Sequence, residues 1–332
     1  MLPCRHAFVP YAEATQRPNI VVDGAANKTS VLTLSHWPRS GTPWPLKADT
    51  SVEIVFNYLD NSAWHHDVPA VTNNHFDEDG LIGLYCLIEP EQALRRRSLL
   101  IDAAHAGDFT ACRSREGARL AFAISRLADR ALSPWSGERF PEDYSDYCTF
   151  VFSRLLAQLG ALAEDIEGHR TLWADEDALL DTSERAIAAG EATIEEFADV
   201  DLAVVRVPAD WPDRPAHSYA QHLGVPIHRM AAYNRTSCNR VATLCGDRIG
   251  FTYRYESWVQ MARHRPPQRI DLSPLATQLS EADRAAWRFD GVDEITPFLR
   301  PEGGRSDLDH DRFMELLIDA LRNGHGAWNP YD

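Results

Sequence analysis

The chain has 332 residues, enough for roughly two domains, and 44% of them are hydrophobic, ample for a core. Its 33 basic residues against 49 acidic ones leave a net charge of −16, which excludes duplex nucleic acid as the main partner, because phosphate backbones need clustered Lys and Arg. Six scattered cysteines with no C-x-x-C pair exclude a zinc ribbon and argue against a disulfide framework.

No signal-peptide h-region opens the sequence, and no apolar run approaches the roughly 20 residues that span a bilayer. The expectation is a soluble cytoplasmic protein with no membrane partner. Apolar, β-branched-rich runs bounded by Gly, Pro or Asn predict strands over residues 19–24, 31–36, 68–74 and 98–103. Residues 50–60 and 81–88 read as helices between them. Alternating strand and helix implies βαβ units and a mostly parallel sheet flanked by helices, an α/β fold. Ligands of such sheets sit beyond the carboxyl ends of the strands. Asp23, His36, the stretch from His75 to Asp79, and the stretch from Asp102 to Asp108 all follow a predicted strand end.

From about residue 113 to 200 the pattern turns helical. Residues 119–132 and 150–166 carry apolar stripes, and residues 190–201 read as an acidic amphipathic helix. A smaller α+β region follows. It contains a hairpin over residues 240–256 turning at Gly246-Asp247, and a last helix from Asp309 that stops at Gly324. The implied organisation is an α/β domain at 1–112, a helical segment packed on it at 113–200, and an α+β substrate or cap domain at 201–332.

One stretch asks for an explanation. Residues 68–80, VPAVTNNHFDEDG, crowd His75, Asp77, Glu78 and Asp79 directly after an apolar run. Such carboxylates repel unless solvent, a helix N-terminus or a cation offsets them. A calcium loop fails: with Gly80 at loop position six, His75 falls at position one and Cys86 at position twelve, where calcium needs oxygens. His75-x-Asp77-x-Asp79 suits a transition metal better, since alternate residues of an extended segment share a side and imidazole with carboxylate favours Mn²⁺, Fe²⁺ or Zn²⁺. Glu78 would point away. The alternative is an acidic loop that caps a helix N-terminus.

The motif NNHFDEDGL resembles the His-x-Asp-x-Asp-Gly motif of the DHH phosphoesterases. Residues 19–27, NIVVDGAAN, are similar to their second motif, an aspartate ending a strand. Residues 31–41, VLTLSHWPRSG, sit where that family carries Asp-His-His, residues 48–59 look like the helix that follows it, and residues 104–109, AHAGDF, resemble the later aspartate motif. The signature position here reads Ser35-His36-Trp37, and the His-x-Asp-x-Asp motif follows the signature instead of preceding it. The resemblance spans residues 18 to about 112. It implies that His75 and Asp77 hold one metal, that Asp79, His36 and Asp108 hold a second, and that Asp23 bridges both. The implied cofactor is two Mn²⁺ ions, with Fe²⁺, Zn²⁺ or Mg²⁺ as alternatives. Whether Asp102 or His105 joins the site is left open.

The resulting expectation is a metal-dependent hydrolase, a phosphoesterase acting on a small anionic substrate, with His75, Asp77, Asp79 and His36 at the reacting centre. Arg235, Arg240 and Arg254 with Asn234, in the densest arginine group, are the candidate substrate contacts, because Arg clamps phosphate or carboxylate bidentately. The Arg95-Arg96-Arg97 run reads as a solvated helix end, and His217, His222 and His228 lack ligand spacing. Two other readings compete: a metalloenzyme of C–N or C–O hydrolysis or iron chemistry on the same scaffold, and a non-catalytic, metal-stabilised binding protein. A homodimer is compatible with the sequence.

Overall fold

The computed structural model describes residues 6–135, 137, 139–211 and 227–332; His217 and His222 lie outside the described residues. The protein is an α/β protein. It divides into two compact units, Met1–Asp177 with Gln260–His264, and Ala178–Val259 with Arg265–Asp332.

The first unit is built on four parallel strands: β1 (Ala7–Phe8), β2 (Asn19–Val22), β3 (Ser30–Leu34) and β4 (Ala70–Thr72), in the order β1-β4-β2-β3. All four residues of β2 are buried, as the near-continuous apolar runs of a parallel sheet require. Around the sheet lie α1 (Tyr11–Ala14), α2 (Ser51–Asp60), α3 (Glu78–Ile88), α4 (Pro90–Arg95), α5 (Arg97–Phe109), α6 (Arg115–Ala128) and α7 (Tyr144–Glu164). The division between units falls inside α8 (Ala174–Ala188). Helix α3 lies close on the sheet at Gly83, where an added Cβ would stand 2.6 Å from Val22 Cγ1.

Two details of the sheet position the site. Strands β2 and β3 are parallel neighbours joined by residues 23–29 alone, with no helix between them. The return is pinned by the buried Asn19. Its Nδ2 donates to Ala14 O at 2.9 Å and Thr29 Oγ1 at 2.9 Å, and its Oδ1 accepts from Ser30 Oγ at 3.0 Å. The reversal begins at Asp23, whose φ of 46° is left-handed, a conformation Asp tolerates better than most side chains.

The second unit carries a six-stranded sheet in the order β10-β11-β8-β7-β6-β5. Its strands are β5 (Thr193–Phe197), β6 (Leu202–Arg206), β7 (Arg240–Cys245), β8 (Arg248–Tyr253), β10 (Trp287–Phe289) and β11 (Phe298–Pro301), with β9 (Arg269–Ile270) and β12 (Gly326–Trp328) pairing separately. Only β6 and β7 run parallel among these pairs. Helices α9 (Arg229–Tyr233), α10 (Ser273–Ala282) and α11 (His310–Asn323) complete it, and α10 and α11 pack on one apolar core with Phe251, Tyr253 and Trp287. The β7–β8 hairpin pairs Cys245 with Arg248 across the Gly246-Asp247 turn, and Gly246 has the positive φ of 57° that such a turn needs.

Two segments depart from their sequence pattern. Residues 98–103 are not a strand but part of α5. The run Leu99-Leu100-Ile101 is short, and the Ala-rich continuation to Phe109 favours a helix that buries Leu100, Ala103, Ala104 and Phe109. Asp102 and Asp108 therefore sit on a helix, not beyond a strand. Residues 190–201 contain β5, an edge strand paired antiparallel with β6 from Thr193–Arg206 to Phe197–Leu202. Its glutamates suit a sheet edge, where charge discourages further pairing.

The contact at Gly83 yields an expected outcome. Gly83→Val forces a branched side chain between α3 and Val22, and overpacking of this kind costs about 1–3 kcal/mol. Urea unfolding should show a lowered midpoint at an unchanged slope.

Candidate metal centre

Strand β2 lies between β4 and β3, so the residue leaving its carboxyl end stands between those leaving the other two. That residue is Asp23, with His36 beyond β3 on one side and His75 beyond β4 on the other. Parallel strands about 4.8 Å apart set this spacing. Asp23 Oδ1 lies 3.4 Å from His36 Nε2, and Asp23 Oδ2 lies 3.3 Å from His75 Nε2.

Helix starts supply the remaining carboxylates. Asp77 is the N-cap of α3, accepting from Gly80 N at 2.8 Å, and its other oxygen meets His75 Nε2 at 2.8 Å. Asp79, in the first turn of α3, is fully buried. Its oxygens accept from Ser51 N at 2.6 Å and Val52 N at 2.8 Å, the first amides of α2. Ser51 Oγ donates to Asp23 Oδ1 at 2.7 Å, so the start of α2 holds two carboxylates in place. That start is fixed by a capping box between Thr50 and Glu53, legible in the sequence as Thr-x-x-Glu. Asp108 arrives from the last turn of α5 with Oδ2 3.4 Å from His36 Nε2. Two ligand groups result, Asp23-His36-Asp79 and Asp23-His75-Asp77, with Asp23 in both.

Close packing of backbone and amides makes this arrangement fit. An added Cβ at Gly80 would stand 2.1 Å from Asn73 Nδ2, and one at Gly24 would stand 2.1 Å from Asn74 Oδ1. Asn73 Oδ1 accepts from His75 N at 2.8 Å, and Asn74 Oδ1 accepts from Ala25 N at 3.0 Å. Asn73, Asn74 and Ser51 are supporting residues that no ligand-spacing argument finds. They surface only when the loop's backbone donors are accounted for one by one.

The electrostatics are severe. Asp23, Asp77, Asp79 and Asp108 have no Lys or Arg partner among the described residues; their ion-pairing contacts are with His36 and His75. Two carboxylates about 4 Å apart repel by about 4 kcal/mol at an effective dielectric of about 20. Burial, then Asp77, pushes Asp23 up to about 6. Burial, then Asp77, pushes Asp79 up to about 7 despite its two backbone donors. Burial and the neighbouring Asp79, Asp77 and Asp23 hold Asp108 well above the carboxylate range. For His75, burial pulls down, but Asp77 and Asp23 outweigh it and set the imidazole well above its ordinary value.

His36 behaves differently. Its Nδ1 lies 2.6 Å from Asp49 O, and a carbonyl can only accept, so the ring proton sits on Nδ1. Burial keeps the ring below its ordinary pKa, hence neutral. Its Nε2 lone pair then faces oxygens of Asp23, Asp79 and Asp108 at 3.4–4.0 Å. A backbone carbonyl behind a histidine whose other nitrogen faces carboxylates is how metal-bound imidazoles are oriented. Asp23 Oδ2 and Asp108 Oδ2 are also buried without a hydrogen bond; the 3.3 Å approach of His75 to Asp23 Oδ2 lacks hydrogen-bond geometry. Orphaned carboxylate oxygens and an oriented lone pair fit divalent cations.

The other singled-out residues have separate work. Asp102 accepts from Arg113 N at 2.7 Å, from Ser114 N at 2.7 Å and from Ser114 Oγ, tying down the start of α6. His105 Nε2 lies 3.4 Å from Glu53 Oε2. Glu78 is buried against Gly107 and pushed up to about 7 by burial. In the second unit, Arg240 donates to Val200 O at 2.7 Å and Gln268 O at 3.0 Å. Arg254 donates to Thr236 O at 3.0 Å and to Glu256, and lies over Tyr233. Arg235 Nη1 donates to Ala231 O at 3.1 Å, and Asn234 ends α9 as its C-cap. These contacts knit the second unit together.

Residues 4–332 match a family whose description is "Family of unknown function (DUF6687)". The chain belongs to that family. Among curated proteins and among solved structures nothing matches it.

Two outcomes are expected. For the metal-free protein, carboxylates with raised folded-state pKa stabilise below their unfolded values near 4, and that stability is lost as pH rises through about 6 for Asp23 and about 7 for Asp79. His75, also raised, acts in the same direction; His36 and His6, both lowered by burial, oppose it. The melting temperature in chelator should therefore fall between pH 5 and 7.5, and Mn²⁺ should abolish the fall. Separately, Asp102→Asn weakens a helix start and should cost about 0.5–2 kcal/mol in urea unfolding with bound-metal content unchanged.

Proposed function

We propose that this protein is a metal-dependent hydrolase, with a small phosphoester as its best-fitting substrate and two divalent cations of the Mn²⁺ type as cofactor. The observation that carries the reading is the sharing of Asp23 between two ligand groups, with His36 locked in the ligating tautomer. The resemblance of residues 75–80 to the DHH phosphoesterase motif adds the phosphoester to the reading.

Two divalent cations held by these residues would supply an activated water and neutralise charge on the leaving and attacking oxygens. The chain's own residues do the rest. Asp23, Asp77, Asp79 and Asp108 offer four negative charges, which balances two dications. Access is one-sided: the side chains of His36, Asp23 and Asp79 are 0% exposed, while those of His75 and Asp77 are 19% and 26% exposed. Substrate and water therefore approach over His75 and Asp77. Trp37 lines that approach, its ring centroid 4.8 Å from the His75 ring. Tyr144 stands there too, its hydroxyl accepting from Phe76 N at 3.3 Å.

A second reading rests on Asp79. Both of its oxygens already serve α2, as a purely structural carboxylate would. On that reading the cluster stabilises the unit with or without cations and turns nothing over.

Asp77→Asn separates the two. Asn is as good an N-cap as Asp, so α3 keeps its start while the site loses one charge. Elemental analysis of wild type should give about two divalent ions per chain and the variant fewer. With Mn²⁺ supplied, wild type should hydrolyse members of a phosphomonoester and phosphodiester panel, and the variant should lose about 10²-fold or more in kcat/KM. Wild type that binds Mn²⁺ yet cleaves nothing on the panel would leave the structural reading; iron in place of manganese would favour non-phosphate chemistry.

A further inference from the structure

The first unit contains a cleft of about 720 Å³, formed by α4, the first half of α5, the start of α6 and Arg263. Its volume falls in the small-ligand range. Its walls carry Arg95, Arg96, Arg97, Arg113 and Arg263 against Glu53, Asp102 and Glu116. This is a local excess of positive charge in a chain of net −16.

How those charges are used decides what the cleft can do. Arg96 is paired with Glu164, Arg97 with Asp60, and Arg263 with Glu53. Asp102 is occupied by the amides that start α6. Arg95 and Arg113 are exposed and have no ion pair among the described residues. The two spare guanidinium groups thus line a concavity in which Glu53 and Asp102 are already bonded to neighbours and the exposed Glu116 is the one wall carboxylate with no ion pair among the described residues. The first turn of α5, with Ser98 and Leu99 on the cleft wall, has no side-chain cap, so its amides add to the positive potential.

We infer that this cleft is a binding site for a small phosphate-bearing anion, gripped by Arg95 and Arg113. Arginine forks match phosphate oxygens bidentately. A polyanionic macromolecule is disfavoured, because the rest of the surface would repel it. The inner wall gives the site a consequence. His105, which lines the cleft, precedes the candidate ligand Asp108 by one turn of α5, and Glu53, also on the wall, shares the capping box that positions Ser51. An anion seated there acts on the same two helix segments that hold the carboxylate cluster.

The test uses the full chain in EDTA with inorganic pyrophosphate, followed by calorimetry at low salt. Saturable binding is expected, weakening as NaCl is raised. The double variant Arg95→Glu, Arg113→Glu should bind at least about tenfold more weakly, with unchanged far-UV circular dichroism, since both side chains are exposed. Asp77→Asn should bind as wild type does, which keeps this site distinct from the metal centre: failure of the hydrolase reading leaves this result untouched. No binding in EDTA, wild-type affinity in the double variant, or lost binding in Asp77→Asn would overturn the inference.

Discussion

Like charge buried at one edge of a parallel sheet is the constraint that organises the first unit. Four carboxylates meet there without a Lys or Arg partner among the described residues, and what offsets them is the neighbouring His75, the Ser51 hydroxyl and a handful of backbone amides. Such crowding sets repulsion against the hydrogen bonds that hold the carboxylates in place, and on the proposed reading it is cations that offset the remainder.

The elements do this by a division of labour. The sheet sets the lateral spacing, because β3, β2 and β4 deliver His36, Asp23 and His75 side by side. Helices deliver the rest by their ends: α3 begins with Asp77 and Asp79, and α2 begins with the amides that clasp Asp79 and the hydroxyl that clasps Asp23. Strand ends and helix starts point the same way in α/β units, and ligand sites at such edges are a general property of the architecture. The second unit, with its mostly antiparallel sheet and arginines tied to backbone carbonyls, has no comparable edge among the described residues.

Much of this was legible in the amino-acid string. The strands leading to Asp23, His36 and His75 are short, β-branched and bounded by Gly, Pro or Asn; the expected alternation of His75, Asp77 and Asp79 along an extended segment does not hold, because α3 begins at Glu78 and delivers Asp79 from its first turn. The terminal helix and the Gly246-Asp247 hairpin were equally plain. Residues 98–103 were not, because a short apolar run has no period long enough to tell a strand from a buried helix. The route of Asp108 to the cluster was hidden with it. Residues 193–197 read as helical because the 190–201 stretch around them is acidic and amphipathic, whereas in β5 Glu195 and Glu196 stand exposed at a sheet edge. The tautomer of His36 depends on the carbonyl of Asp49, thirteen positions away, and backbone acceptors leave no trace in side-chain patterns.

The helix-free return between β2 and β3 has an evolutionary corollary. Asp23 meets two conditions at once: a left-handed backbone, costly for most side chains although Arg39 and Thr110 also adopt it, and a short carboxylate poised between neighbours on both flanks. Glutamate is too long for the second, glycine meets only the first, and asparagine meets the first while forfeiting charge. A replacement that keeps both conditions is therefore hard to find at this one position.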